Sequence, residues 1–330
     1  MRRGAGFRVA VAAAVAIVFL ATGVTAYTVW DNRRVIVVEQ EITIQRLPEA
    51  FDGYVILHIT DLHSKRFGPE QATLLEQINA LEYDAVAITG DMINNRDRSL
   101  EPFYELLTGL DGTRPMFFAR GNTDPQDYFP YTGEVRPFGQ ELQRRGVTLL
   151  NEPAPVTRDG STLWFTAWHD GPSVEDYRRS IRKELAGPDS EAGRGGELEQ
   201  QAAYMEEIQN FWAEVDPGEV KIALTHFPAS RRYRERRREA PDPHYDLFIA
   251  GHYHGGQFRI PLLGAIYVPD WTSWRMGFFP DQNEVSGLMG PAHAQQYVSR
   301  GLGATDIVPL LAFRLFNPPE INLLRLRTPQ

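Results

Sequence analysis

The stretch IAGHYHGGQ, residues 249–257, places two histidines, His252 and His254, one residue apart between glycines. The first letters overlap LFIA, residues 247–250, a short apolar run that is typical of a buried β-strand. In extended backbone, residues two apart point to the same side, whereas on a helix they would diverge by about 200°. The spacing therefore excludes the helical H-E-x-x-H zinc motif and predicts a pair of imidazoles at the end of a strand.

The same arrangement occurs four more times along the chain. Short apolar runs end at residue types that bind metal ions, and these runs are YVILHIT (54–60), AVAIT (85–89), MFFA (116–119) and VKIALT (220–225). The metal-binding residue types that follow the five runs are Asp61, His63, Asp91, Asn122, His226, His252 and His254. Helical spacing separates the first runs, so we predict alternating strands and helices with a site beyond the carboxyl ends of the strands.

Seven such side chains are enough for two adjacent divalent ions if one carboxylate, which we take to be Asp91, is shared. The chain contains no cysteine, which excludes thiolate ligands and thiol nucleophiles. A site of imidazole and oxygen ligands suits Mn, Fe, Zn or Ni better than Mg or Ca. Paired cations lower the pKa of water and neutralise phosphoryl charge, so phosphate-ester hydrolysis would need no protein nucleophile.

The ordered series DLH, GD, GNTD, THFP and GHYHGGQ resembles the calcineurin-like metallophosphoesterases. YVSRGLG and PPEINLL near the end are similar to the membrane-associated bacterial branch of that family. The resemblance covers nearly all of residues 50–326. It implies an α/β fold in which two mixed sheets pack face to face between flanking helices, in four layers. It also implies that a hydroxide held between two ions attacks phosphorus in line.

The resemblance divides the ligands between two ions, with Asp91 shared. The implied ligands of one ion are Asp61, His63 and His254. Those of the other ion are Asn122, His226 and His252.

The GNTD motif departs from the family's usual Gly-Asn-His followed by Asp or Glu, because position 123 is threonine. Thr123 cannot act as a general acid near neutral pH, although its hydroxyl could donate a hydrogen bond to a phosphate oxygen. His169 or His244 could replace the missing acid. We therefore expect a substrate with a good leaving group, such as a pyrophosphate or an activated phosphodiester. The residues expected at the reaction centre are Asp91, Asn122, Thr123, Asp124 and His169.

The amino end predicts a membrane segment. Residues 9–30 carry no charge and would form a helix about 33 Å long, which is enough to cross a bilayer. The preceding arginines favour a cytoplasmic amino terminus, and hence a single-pass cell-membrane protein with an extracytoplasmic catalytic domain. The alternative is a signal peptide cleaved after Ala26. We favour the uncleaved anchor, because the apolar run exceeds the roughly 7–15 residues of a signal h-region.

Residues 1–34 are thus predicted to be anchor and linker, and residues 35–330 a single phosphoesterase domain. An insertion near residues 173–218 would consist of two helices around the flexible segment GPDSEAGRGGE. His58, inside an apolar run, is interpreted as a core residue, and His293 as part of a surface loop. The net charge of −9 argues against a stable nucleic-acid partner.

The predicted substrate is a phosphodiester or pyrophosphate, lipid-linked or nucleotide-linked. The arginines of residues 231–238 favour an anionic partner, and the aromatic residues of 271–279 favour a lipid. Hydrolases of UDP-diacylglucosamine are also similar, but their chemistry would be cytoplasmic. The alternatives are a secreted nucleotide phosphodiesterase or nuclease, a metal-binding scaffold without turnover, and a phosphomonoesterase or protein phosphatase.

Overall fold

The predicted apolar runs are strands of two six-stranded sheets. A computed structural model describes residues 2–129, 132–168, 192–236, 245–269 and 277–329. The helices within these ranges are α1 (Arg2–Asp31), α2 (Ala72–Asn79), α3 (Glu101–Gly109), α4 (Pro137–Arg144), α5 (Ala192–Glu214) and α6 (Arg231–Arg236). The strands are β1 (Ile36–Thr43), β2 (Val55–Ile59), β3 (Ala85–Ile88), β4 (Met116–Phe118), β5 (Val147–Leu149), β6 (Ala154–Arg158), β7 (Ser161–Ala167), β8 (Val220–Leu224), β9 (Leu247–Ala250), β10 (Arg259–Ile260), β11 (Gly264–Ala265), β12 (Gly287–Met289), β13 (Gln295–Val298) and β14 (Glu320–Arg327).

Both large sheets are mixed, as predicted. The first sheet has the strand order β1-β14-β2-β3-β4-β5, and β14 runs antiparallel to β2 while β2 to β5 are parallel. The second has the order β12-β13-β9-β8-β7-β6, with β7, β8, β9 and β13 parallel. The parallel strands of each sheet therefore end at one edge, where the polar residues that follow them can meet.

Alternation along β2 separates two cores. Leu57 and Ile59 pack with the apolar faces of α2, α3 and α4, whereas Ile56 packs in the layer between the two sheets. In that layer the rings of Phe117 and Phe165 stack with their centroids 4.2 Å apart. Successive residues of a strand point to opposite faces. A strand that is covered on both faces therefore needs apolar residues at nearly every position.

His58 is a core residue, as interpreted from the sequence. It is fully buried, and its Nε2 atom lies 2.8 Å from the Thr89 hydroxyl. The ring faces Tyr297 of the opposite sheet, edge on. Burial lowers the pKa of His58 to about 3, so the imidazole is neutral and takes no part in the metal-ligand set.

The amino-terminal helix ends against the domain. Among the described residues, one helical segment, Phe7–Asp31, is long and apolar enough to cross a membrane. Immediately after it, the Asn32 side chain donates a hydrogen bond to the Arg314 carbonyl (2.6 Å) and accepts one from the Arg314 backbone N–H (2.8 Å). The rings of Tyr27 and Phe316 also contact, with centroids 5.3 Å apart.

The predicted insertion lies between β7 and β8 and contains α5. Residues 192–197, predicted as part of a flexible loop, form the first turns of this helix. Strong helix formers follow them, and helix propagation from such residues overrides the weak local preference of glycine. Residues 169–191 are outside the described residues, which leaves the first predicted helix of the insertion a prediction.

Candidate metal centre

Two groups of ligand-type side chains lie at the shared carboxyl edge of the parallel strands. One group is Asp61, His63 and His254, and the other is Asp91, His226 and His252. Within each group, one ligand atom per residue lies within 4.8 Å of the others. The structure thus brings together six of the seven predicted ligands. It also separates His252 from His254, which the family resemblance assigns to different ions.

Asp91 contacts members of both groups through one oxygen. Its Oδ2 atom lies 3.2 Å from His226 Nε2 and 3.7 Å from His63 Nε2. The other oxygen, Oδ1, accepts a hydrogen bond of 2.9 Å from the backbone N–H of Thr123. That hydrogen bond fixes the rotation of the carboxylate and directs Oδ2 into the space between the two groups.

The ring nitrogens approach one another too closely for groups that only carry lone pairs. The Nε2 atoms of His63 and His254 are 3.3 Å apart, and His226 Nε2 is 3.1 Å from His252 Nδ1. Burial lowers the pKa of His63 to about 4 and that of His252 to about 3, and it also holds the pKa of His254 well below its ordinary value. Neutral imidazoles at this distance can share an N–H···N hydrogen bond or direct their lone pairs at one cation, and the donor set fits divalent transition metals.

His226 lies where positive charge is favoured. Its Nδ1 atom lies 2.9 Å from the Thr89 carbonyl and donates to it, which leaves Nε2 facing Asp91 and His252. Burial lowers the pKa of His226, but the carboxylates of Asp91 and Asp61 and the hydrogen bond to Thr89 together raise it, to about 9 overall. A proton or a metal ion at Nε2 satisfies the carboxylate equally, so this position suits a cation.

The backbone that carries the ligands is turned and not extended, which corrects the reasoning from two-residue spacing. Asp61 and His63 have φ values of 54° and 50°, and His252 and His254 have 69° and 50°. Such left-handed conformations are strained for residues other than glycine and occur where a site holds them in place. Here the backbone N–H of Asp61 donates to Gly90 O (2.9 Å), and that of His63 donates to Asp91 O (3.0 Å).

Close backbone approach explains the glycine of the GNTD motif. A Cβ on Gly121 would lie 2.2 Å from both the backbone nitrogen and Oδ1 of Asp91. Contacts that short are impossible without moving the Asp91 loop. Glycine at this position therefore allows the β3 and β4 loops to pack directly on each other.

Asp124 holds these two loops together and does not face the ligand atoms. Its carboxylate accepts hydrogen bonds from the backbone N–H groups of Gly121 (2.9 Å), Asp91 (2.8 Å) and Met92 (2.7 Å). Asp124 is one of the residues that the sequence predicts at the reaction centre. These contacts instead make it a positioning residue for Asp91.

Thr123 also has a different role from the one expected. Its hydroxyl donates a hydrogen bond of 2.7 Å to the Ile93 carbonyl, so its single proton is not available to a phosphate oxygen. Asn122 directly precedes Thr123, whose backbone N–H donates to Asp91, and the side chain of Asn122 is exposed. His169 and His244, the suggested substitutes for the missing acid, lie outside the described residues.

Two supporting residues were missed by the sequence reasoning. Arg314 is fully buried and donates to the carbonyls of His254 (3.1 Å), Arg300 (2.7 Å), Gly303 (2.6 Å) and Asn317 (2.9 Å). Asn317 adds a hydrogen bond of 2.7 Å to the His254 carbonyl. These bonds fix the turn that carries His254. The signal in the sequence was a lone arginine in the otherwise apolar stretch LLAFRLF, residues 310–316.

The two surfaces expected to favour an anionic or lipid substrate are only partly described. Within the arginine run, Arg231 is exposed, but Arg234 is buried and forms an ion pair with Glu284. The run is therefore not a uniform anion-binding face. In the aromatic loop, Phe278 and Phe279 are 57% and 68% exposed, whereas Trp271 and Trp274 lie outside the described residues.

Comparison with known proteins agrees with this geometry. The family model described as calcineurin-like phosphoesterase matches residues 54–256. The metallophosphoesterase YkuE of Bacillus subtilis is 25% identical over 88% of this chain and 85% of its own length. Phosphodiesterase YaeI of Escherichia coli is 26% identical over 83% of this chain and 82% of its own. A transmembrane protein with metallophosphoesterase domain from Danio rerio is 26% identical over 84% of this chain and 55% of its own.

The family match covers more than half of the chain and runs from β2 to the glycines after His254. Within it lie all six clustered ligands, at the edge where the family resemblance places a metal-dependent site. This protein therefore belongs to the calcineurin-like phosphoesterase family and is a hydrolase that acts on phosphoester bonds.

Proposed function

We propose that this protein hydrolyses a phosphodiester or pyrophosphate bond with two divalent ions, on a lipid-linked or nucleotide-linked substrate. The observation that carries the proposal is the position of Asp91 Oδ2 between His226 and His63. Asp61, His63 and His254 would hold one ion, and His226 and His252, with Asn122 as the family resemblance implies, would hold the other, while Asp91 would serve both. When bound, such a pair lowers the pKa of water and neutralises charge on phosphoryl oxygens.

The chain's own residues fix the ligands in place. The Thr89 carbonyl sets the tautomer of His226, and Asp124 holds the Asp91 loop by accepting hydrogen bonds from the backbone N–H groups of Asp91 and Met92. Arg314 and Asn317 fix the His254 turn. Outer contacts of this kind typically account for about 10–100-fold in metal affinity or activity.

Specificity for a good leaving group follows from residue 123. General acid catalysis contributes about 10²–10⁴-fold, and threonine cannot supply it. The hydroxyl of Thr123 is also committed to the Ile93 carbonyl. A phosphodiester with an acidic leaving group, or an anhydride, needs no such help, whereas an ordinary phosphomonoester does.

The leaving-group dependence tests this part of the proposal. Across a series of aryl phosphodiesters, kcat should fall steeply as the pKa of the departing phenol rises. Thr123→Val is the matched control, and it should leave the slope unchanged because the lost hydroxyl served only Ile93. A flat dependence in the parent would show that another residue protonates the leaving group, and would refute the proposed specificity.

Membrane anchoring is supported by the apolar segment Phe7–Asp31 and by the transmembrane relative from Danio rerio. In our proposal α1 remains attached and crosses the cell membrane once, with the catalytic domain outside the cytoplasm. The excess of arginine before the segment supports that orientation.

Single-cysteine labelling tests the orientation, because the natural chain has no cysteine. Ala213→Cys places a thiol at an exposed position of α5, and Gly4→Cys places one before the membrane segment. We expect a membrane-impermeant maleimide to label the Ala213→Cys variant in intact spheroplasts and the Gly4→Cys variant only after lysis. The reverse pattern would place the catalytic domain in the cytoplasm.

A further inference from the structure

A cavity of about 780 Å³ lies between the end of α1 and the metal centre. Its volume is in the range of small-molecule sites, about 300–1,000 Å³. The polar lining comprises His63, Lys65 and Asn94, together with Thr25, Thr28, Asn32 and Arg33 at and just after the end of α1. The apolar lining includes Val24, Val29, Ala304, Ala312, Phe313 and Leu315. His63 belongs to both the cavity and the metal centre, so a molecule in the cavity is next to a predicted metal ligand.

The cavity lies at the level of a membrane surface if α1 crosses the bilayer. The 25 residues of Phe7–Asp31 form a helix about 37 Å long, which exceeds a hydrocarbon core of about 30 Å. Its last turns, which carry the cavity residues Val24 and Val29, are therefore near the lipid headgroups. Tyr27 and Trp30 occupy the same turns, as aromatic residues commonly do at membrane interfaces.

Exposed apolar side chains lie in two segments, residues 307–311, which directly precede the cavity residues Ala312 and Phe313, and the β10–β11 turn. Leu310 is 88% exposed, and Leu262 at the turn is fully exposed. The two parts are connected, because the Gln257 side chain donates to the Leu311 carbonyl (2.7 Å) and the Arg259 backbone N–H donates to the Leu315 carbonyl (3.0 Å). Exposed large apolar side chains in two connected segments are unfavourable in water and typical of a membrane contact.

We propose that the cavity binds the hydrocarbon chain of a membrane lipid whose phosphate reaches the metal centre sideways from the bilayer. The α1 helix is then a wall of the substrate site as well as an anchor. The cavity lining has both characters that such an amphiphile needs, because apolar side chains of α1 and of residues 304–315 can contact the hydrocarbon chain and His63 lies beside the metal centre for the phosphate. This inference rests on the proposed function and on α1 crossing the membrane.

Two substrates that have the same leaving group but different alkyl chains test the proposal. The full-length protein in nanodiscs, loaded with metal, would be assayed on p-nitrophenyl hexadecyl phosphate and p-nitrophenyl methyl phosphate, which share their leaving group. Val24→Trp fills the cavity, and it should lower kcat/KM for the hexadecyl ester by about tenfold or more while the methyl ester changes by less than about twofold. Ala312→Trp, from the opposite wall, should act in the same way.

Gly23→Trp is the matched control, because it adds the same side chain one residue earlier, where a Cβ atom would have nothing within 4 Å. Gly23→Trp should leave kcat/KM for both esters within about twofold of the parent values. Equal effects of Val24→Trp and Gly23→Trp on the hexadecyl ester would overturn the proposal. A Val24→Trp variant that lowers kcat/KM equally for both esters would also overturn it.

A readout without turnover separates this inference from the proposed function. Hexadecylphosphonate carrying a diazirine at the end of its chain would be photolysed with the parent protein, and the labelled peptides would be mapped by mass spectrometry. Labelling confined to residues 24–33 and 304–315 supports the cavity even if neither ester is hydrolysed, in which case only the proposed function fails. Labelling spread around α1 without this preference would reject the cavity even in an active enzyme.

Discussion

Replacing Asp91 with asparagine should lower phosphodiester turnover by about 1,000-fold or more. Lewis-acid stabilisation by metal ions is worth several kcal/mol, and each 1.4 kcal/mol corresponds to about a factor of ten. One oxygen of Asp91 lies near the ring nitrogens of histidines from both groups, at 3.2 Å from His226 and 3.7 Å from His63. An amide is a neutral and weaker ligand, so the substitution should weaken both sites at once. Steady-state kinetics on bis-p-nitrophenyl phosphate provides the measurement.

Asp111→Asn is the control for that experiment, because Asp111 is an exposed carboxylate remote from the described ligands. It should retain activity within about twofold of the parent, since surface substitutions rarely matter. An Asp91→Asn variant that keeps more than about a tenth of parental activity would contradict a shared carboxylate, given the several kcal/mol at stake.

Replacing Arg314 with methionine should destabilise the domain by at least about 3 kcal/mol, because removing a buried charged donor strands its partners. Four carbonyl groups, those of His254, Arg300, Gly303 and Asn317, receive hydrogen bonds from this one guanidinium. The predicted loss corresponds to a drop of at least about 6 °C in the thermal unfolding midpoint. Circular dichroism in detergent gives that midpoint.

Arg327→Met is the matched control for Arg314→Met. The Arg327 guanidinium is partly exposed and pairs with Glu41, an ion pair of the kind that contributes about 0–1 kcal/mol. Its midpoint should therefore stay close to that of the parent. If the two methionine variants unfold at the same temperature, the buried arginine does not hold the His254 turn in the way described.

Local rules predicted the strands and the ligand types, because each buried strand needs a short apolar run and each ligand follows one directly. The same rules failed for the backbone of the ligands themselves. Extended backbone was expected at Asp61 and His63, but both residues have left-handed backbone conformations. Hydrogen bonds to the loop after β3 stabilise them. Such turns depend on a neighbour about 30 residues away, which a window of a few residues does not contain.

Contacts over long chain separations account for the other differences. Arg314 supports His254 from 60 residues away, and the Thr123 hydroxyl reaches Ile93 across 30 residues. The residues next to Thr123 in the sequence do not indicate that its hydroxyl proton is already hydrogen-bonded to the Ile93 carbonyl. The cavity beside His63 likewise depends on α1 meeting residues 304–315, at opposite ends of the chain.

Anomalous diffraction from crystals grown with Mn, Fe, Zn or Ni is the most direct test of the two-metal centre. We predict two peaks per chain in the parent protein, one among Asp61, His63 and His254 and one among Asp91, His226 and His252. Both peaks should weaken together in Asp91→Asn. A single peak, no peak with any of the four metals, or two undiminished peaks in the variant would contradict a centre that shares Asp91.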